Sequence, residues 1–242
     1  MRLLRAGRDQ VAGYLAASAH PFYGAITALG MLVLYEVFLV WEPDAPVMFR
    51  NAPEAWMRSL LHSFGLSHHY ISFFWITLGL ISIPLFWRKG VVFSQRVFVL
   101  IACEALFWGI SAGIVIQLVM NSLLLAASSL TGHLTSDIAL ALGAGLFEEL
   151  FFRVGLTSLL ILGFRGLFAS RLIATLAAVL VASFLFSLAH YTGNGGDVFS
   201  LYSFLFRFFA GLWFTSLYAW RGFAVTALSH AFYDILIILG LG

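Results

Sequence analysis

The sequence predicts an all-α, polytopic integral membrane protein, a helical bundle of about seven to eight transmembrane segments, on three observations. Hydrophobic residues make up 62% of the 242 positions and charged residues only 10%, whereas a soluble domain carries roughly 25% charged residues. The apolar residues, with a mean hydropathy of +0.98, gather in several runs close to the ~20 residues that cross a bilayer. No ten-residue alternating pattern suggests a barrel, so helices satisfy the backbone hydrogen bonds in lipid.

In order along the chain, residues 1–20 open with Arg2, Arg5 and Arg8 and continue with a stretch too polar for a signal-peptide core. They read as a basic amphipathic segment lying on the membrane surface. N-terminal transmembrane helices fill 21–130, with spans expected at Phe22–Trp41, Tyr70–Trp87 and Phe98–Met120. Between the first two, Pro53–Leu61 opens with proline and reads as a short interfacial helix. The remaining block, 131–242, holds Ile138–Phe164, a long run with a break expected near Gly155, then Leu172–His190, Leu201–Trp220 and Phe223–Leu241. No repeat, low-complexity tract or soluble domain interrupts them.

Charge orients the bundle. Arg88, Lys89 and Arg96, then Arg165 and Arg171, then Arg221 alternate onto the side of the N-terminal arginines, which the positive-inside rule makes cytoplasmic. Glu42, Asp44, Glu54, Asp137 and Asp197 fall on the other side. A net charge of +2 is too small to argue for nucleic acid as a partner. Cys103 has no second cysteine for a disulfide or a metal site and reads as a packing residue.

Ionisable residues inside spans cost several kcal/mol and demand an explanation. In Gly145-Leu-Phe-Glu-Glu-Leu-Phe-Phe-Arg153, the four-residue spacing puts Glu149 and Arg153 on one helical face as an ion pair. That pair alone would read as structural. Glu148 points about 100° away, without a local partner, and an unpaired buried carboxylate suits base chemistry. The next span ends in Phe186-Ser-Leu-Ala-His190, below a ridge of Ala174, Ala178 and Ala182. Small residues there, and Ala139, Ala141, Gly143 and Gly145 before Glu148, predict close packing of these two helices and a meeting of Glu148 with His190. Alone, His190 reads more readily as an interfacial histidine. In the last span His230 and Asp234 share a face at i,i+4, where Asp234 could simply hydrogen-bond His230. Glu36, Glu104 and Arg207 read as structural pairs across helices. His62, His68 and His69 read as boundary residues facing water, and Gly193-Asn-Gly-Gly-Asp197 as a turn rather than a phosphate loop.

Glu-Glu-x-x-x-Arg, Phe-x-x-x-His and His-x-x-x-Asp, in this order and each in a separate hydrophobic span, resemble the CPBP family. These are the type II CAAX prenyl endopeptidases and their relatives, glutamic-type intramembrane proteases. The resemblance covers Glu148 to Asp234 and implies roles. Glu148 would be the general base, activating water with His190. His230 and Asp234 would stabilise the oxyanion, Asp234 donating when protonated or through a water. Glu149, Arg153 and Phe186 would support the motif. It also implies metal-free chemistry, with no cofactor; zinc, for which Glu and two His are a reasonable ligand set, is the alternative.

The expected partners are membrane-associated protein or peptide substrates within the lipid bilayer. The expected location is a bacterial inner (cell) membrane with the N-terminus cytoplasmic and the site opening to the extracytoplasmic side, suited to trimming the C-terminal or sorting tail of exported proteins. Two other classes fit the same residues. One is an ion- or proton-coupled transporter whose buried Glu148, His190 and His230 form a path. The other is a non-catalytic, bacteriocin-immunity-type membrane protein.

Overall fold

The computed structural model describes residues 11–41, 52–87, 91, 93–122, 134–192 and 196–240. Arg2, Arg5, Arg8, Glu42, Asp44, Arg88, Lys89 and the 193–195 part of the expected turn lie outside them. Helices account for almost all of the described chain: α1 (11–18), α2 (Pro21–Trp41), α3 (Ala52–Ser63), α4 (His68–Trp87), α5 (Gln95–Ser122), α6 (Leu134–Gly143), a π-helical segment (Ala144–Thr157), α7 (Ser158–Leu167), α8 (Arg171–Ala189), α9 (Leu201–Arg221) and α10 (Phe223–Ile238). Among the described residues five helices are long and apolar enough to cross a membrane: Pro21–Leu39, Tyr70–Trp87, Gln95–Met120, Leu134–Leu167 and Arg171–Ala189. The chain is an all-α polytopic bundle. Of the expected spans, α9 forms at full length but is less hydrophobic, and α10 has 16 residues.

The break expected near Gly155 does not occur. The helix from Leu134 to Leu167 is continuous, and its middle 14 residues are wound wide instead. The i–5 bonding is visible in side chains too: Thr157 Oγ1 donates to the Phe152 carbonyl at 2.7 Å, and Ser158 Oγ to that of Arg153 at 3.3 Å. Glycine gives no helix-breaking signal when the helix can absorb it by a change of winding.

α10 is the hub. It packs against α5, the π segment, α6, α2 and α9, and it can do so because half of its buried residues are small: Ala224, Ala227, Ser229 and Ala231. Two glycines press into it. A Cβ on Gly109 of α5 would lie 2.9 Å from the Ser229 carbonyl oxygen, and one on Gly145 would lie 2.6 Å from that of Ala227. The small-residue surface before Glu148 therefore closes on α10, not on α8 as its spacing suggested. The alanine ridge of α8 is buried, and beside it Gly211 of α9 approaches Ser183. The long helix and α8 do pack against each other, through α7 and the π segment. The α9–α10 connection is Gly222 at φ 79° and ψ −176°, a conformation almost confined to glycine.

Polar clusters tie the rest. Arg221 of α9 grips Glu104 of α5 with two bonds of 2.6 and 2.7 Å and reaches Ser18 of α1 at 2.8 Å, while Tyr14 of α1 donates to the same carboxylate. α1 is thus docked on the bundle. α3 is more than interfacial. Its Glu54 and Arg58 are buried, and Arg58 pairs with Glu54 at 2.6 Å and Glu36 at 3.3 Å and donates to Ser72 at 2.8 Å. Glu36 and Glu104 accordingly sit in cross-helix pairs. Leucines 159, 162, 172, 176 and 180 are exposed along α7 and α8, as a lipid-facing surface requires. A largely apolar cavity of about 1270 Å³ lies between α2, α4, α7 and the Phe147, Leu150 and Phe151 side of the π segment.

Candidate active site

The π segment, α8 and α10 contribute the side chains of one polar cluster inside the bundle, and α9 packs a ring against it. Glu149 and Arg153 are both 0% exposed, with Arg153 Nε 3.1 Å from Glu149 Oε2. The expected pair forms, but as a contact of charges: the guanidinium has no hydrogen bond among the described residues, and its other face covers the Phe186 ring at 4.3 Å. Glu149 spends its second oxygen on α10, where His230 Nδ1–H donates to Oε1 at 2.6 Å. Glu149 is therefore the bridge between Arg153 and His230. The close approach at Gly145, one turn earlier, brings that bridge within reach.

His230 is further fixed by Phe214 of α9, whose ring stacks on the imidazole at 4.6 Å and 15°. Its Nε2 lies 3.6 Å from Asp234 Oδ2, beyond good hydrogen-bond length. The simple His230–Asp234 hydrogen bond is thus replaced by a tighter one to Glu149.

His190 caps the end of α8. Its Nδ1–H donates to the Phe186 carbonyl at 2.9 Å, and its ring meets the Phe186 ring edge-on at 4.9 Å. In the neutral ring this leaves Nε2 as the bare, accepting nitrogen. Phe186 consequently does three things: it fixes the His190 tautomer through its carbonyl, covers Arg153, and meets Phe152 at 5.1 Å. Ser187 Oγ, donating to the Phe204 carbonyl at 2.7 Å, pins this end of α8 to α9.

Glu148 is 8% exposed and, among the described residues, makes no hydrogen bond or ion pair. Its charge is nevertheless felt by Arg153, His190, His230 and Asp234. The seven candidate residues thus belong to one neighbourhood, in which Glu148 is the carboxylate with no hydrogen bond or ion pair among the described residues. Among the described residues no three of His, Cys, Asp and Glu are placed to hold a metal ion.

Residues 131–236 match the family model described as type II CAAX prenyl endopeptidase Rce1-like. The matched region is 106 of the 242 residues, less than half of the chain. No curated protein and no solved structure matches the chain. That region contains every residue of the polar cluster, from Glu148 to Asp234, and the family it is similar to is one of membrane proteases. Sequence reasoning missed Phe214, since one phenylalanine among 25 carries no signal. It also missed the group beside His190. There Arg207, expected to pair across helices, instead meets Asp197 of the α8–α9 connection and Tyr191.

Proposed function

We propose that this protein is a glutamic-type intramembrane endopeptidase that hydrolyses a peptide bond close to the membrane in protein substrates, near a C-terminal or sorting tail. The observation that carries the reading is the unpaired Glu148 carboxylate, close enough to act electrostatically on His190, whose Nε2 is left bare. A base must be free to take a proton, and a partner acceptor orients the water that gives it.

Glu148 and His190 Nε2 hold a water between them. As its oxygen attacks the carbonyl carbon, Glu148 takes one proton and the carbonyl electron pair moves onto oxygen. His230, protonated on both nitrogens and held by Glu149, offers Nε2–H to that oxyanion, and Asp234 assists in its protonated form or through a water. Collapse breaks the C–N bond, and the proton on Glu148 passes to the leaving amine. Arg153 lies against the other oxygen of Glu149 and holds that carboxylate in place under His230. Preorganised donors of this kind are worth about 10²–10³ in rate each, and a positioned base about 10²–10⁴. The step uses neither metal nor cofactor.

Arg165, Arg171 and Arg221 flank the α7–α8 and α9–α10 connections, while His190 lies at the α8–α9 connection on the opposite end. The positive-inside rule then puts the arginine-rich end and the N-terminus in the cytoplasm of a bacterial cell and opens the site outward. Mapping by cysteine labelling that found position 197 cytoplasmic would reverse this. The test of the activity is a comparison of terminal peptides of membrane and exported proteins from cells making the wild type or Glu148→Gln. Tails kept only in the mutant support hydrolysis; identical profiles from two stably inserted proteins refute it.

A further inference from the structure

Beyond the polar cluster, one cation stands apart from the other described arginines near the site. Arg153 is sealed against Glu149 and Phe186, and Arg58 and Arg221 are locked in buried pairs. Arg207 is 23% exposed, and its carboxylate partner, Asp197, is 55% exposed. The guanidinium is nonetheless aimed. Nη1 donates to Tyr191 Oη at 3.1 Å, the Tyr191 ring lies 5.4 Å from the guanidinium carbon, and Tyr191 is itself tied to Ser203 Oγ at 2.6 Å. Nη2 donates to Asp197, whose own backbone N–H donates to the His190 carbonyl at 2.9 Å. Tyr191 follows His190 directly in the chain, so the guanidinium is built onto the residue next to the proposed water-binding histidine. Both Arg207 and Asp197 act electrostatically on His190.

We infer that Arg207 and Tyr191 form a subsite for the free C-terminal carboxylate of a peptide substrate, with Asp197 as the internal carboxylate that yields to it. The inference rests on the endopeptidase reading above and deepens it by naming what positions the tail. The physical grounds are a contrast in strength. An exposed Asp–Arg pair is worth little, since water screens it. A carboxylate arriving at the same fork can bond it bidentately, while the rest of the peptide is held beside His190. Tyr191 keeps the fork in place during the exchange. A guanidinium anchored at one edge of the site then sets how far from its C-terminus a substrate is cut, so the enzyme would trim a short tail rather than cleave at random along an apolar segment.

The probe is a fluorescent apolar peptide made once with a free C-terminal carboxylate and once as the C-terminal amide. Its binding to Glu148→Gln protein in phosphatidylcholine vesicles is read by anisotropy. The acid is expected to bind about tenfold more tightly than the amide, the effect of one charge-assisted contact. Adding Arg207→Gln should erase the acid-to-amide ratio, and adding Asp197→Asn should raise it severalfold by removing the internal competitor. The ratio is read within each protein, so a partly unfolded fraction does not mimic the result, and Asp197→Asn gives an arm in which the effect is a gain.

Equal binding of acid and amide by the intact subsite overturns the inference. So does a ratio unmoved by Arg207→Gln, or an Arg207 effect that appears only with phosphatidylglycerol and is the same for both peptides, which would make the residue a lipid-headgroup anchor. Acid preference without cleavage by the wild type would keep the subsite and sink the hydrolysis. Cleavage without acid preference would do the reverse.

Discussion

Replacing Gly145 by alanine places a methyl carbon 2.6 Å from the Ala227 carbonyl oxygen and 2.9 Å from the Ala231 nitrogen and Cβ. These are backbone or backbone-attached atoms that no rotamer change can move aside. Ordinary contact starts at 3.4 Å, so the π segment and α10 must part by the difference from 2.6 Å, about 0.8 Å. Glu149 Oε1 and His230 Nδ1, 2.6 Å apart one turn away, would then separate to roughly 3.4 Å if the shift is carried over, outside hydrogen-bond range. Overpacking of this kind costs about 1–3 kcal/mol, and loss of the oriented donor lowers turnover by about 10²-fold.

Gly163→Ala on α7, where nothing lies within 4 Å, is the control and should stabilise the protein by up to about 1 kcal/mol. The assay is thermal unfolding in detergent by tryptophan fluorescence, with tail processing measured in cells. If Gly145→Ala melts with Gly163→Ala and processes tails at the wild-type rate, the close approach of the π segment to α10 does not control the site.

Arg153→Met leaves the Glu149 charge buried without its guanidinium and should cost about 3–5 kcal/mol in chemical denaturation. Glu149→Gln combined with Arg153→Met should recover part of that stability and none of the processing. Phe214→Ala removes the ring stacked on His230 and should cost about 3–5 kcal/mol, with a fall in turnover exceeding that of a matched Phe206→Ala change. Burial, then the bond to the Glu104 carboxylate and its charge, push the Tyr14 hydroxyl above its ordinary pKa of 10.0. The folded state thus holds this proton more tightly than the unfolded one, so the contribution is complete below pH 10 and declines as pH rises above it. Wild-type stability should accordingly fall more steeply above pH 10 than that of Tyr14→Phe, as denaturant titrations at stepped pH would record.

The spans were legible because a 20-residue apolar run has few alternatives to a membrane helix; Tyr70–Trp87 agrees residue for residue. The Glu149–Arg153 pair was legible because i,i+4 neighbours meet whatever surrounds them. What could not be read was which helix receives which face. Small-residue spacing says that Gly145 and Ala178 lie on surfaces able to approach another helix closely; it does not say that α10 takes one and α9 adjoins the other. His230 likewise looked tied to Asp234 by spacing, but the stronger partner, Glu149, is 81 residues away in sequence. Local pattern finds faces, and only the tertiary arrangement chooses among them.

The wide winding of Ala144–Thr157 shows how that arrangement bears on the chemistry. Adjacent carboxylates on an α-helix diverge by about 100°. An i→i+5 helix takes more residues per turn, so that angle narrows while Glu149 reaches His230 of α10. Glu149, Arg153 and Thr157 then follow one another down the fully buried face. A π-helix of this length has no propensity to sustain it. Its supports are tertiary: α10 fitted against Gly145, the Glu149–His230 bond, and Arg153 held against Phe186. Those are also the contacts that orient the site, so a substitution that relaxes the segment to an α-helix would redirect one of its two carboxylates and separate base from oxyanion donor.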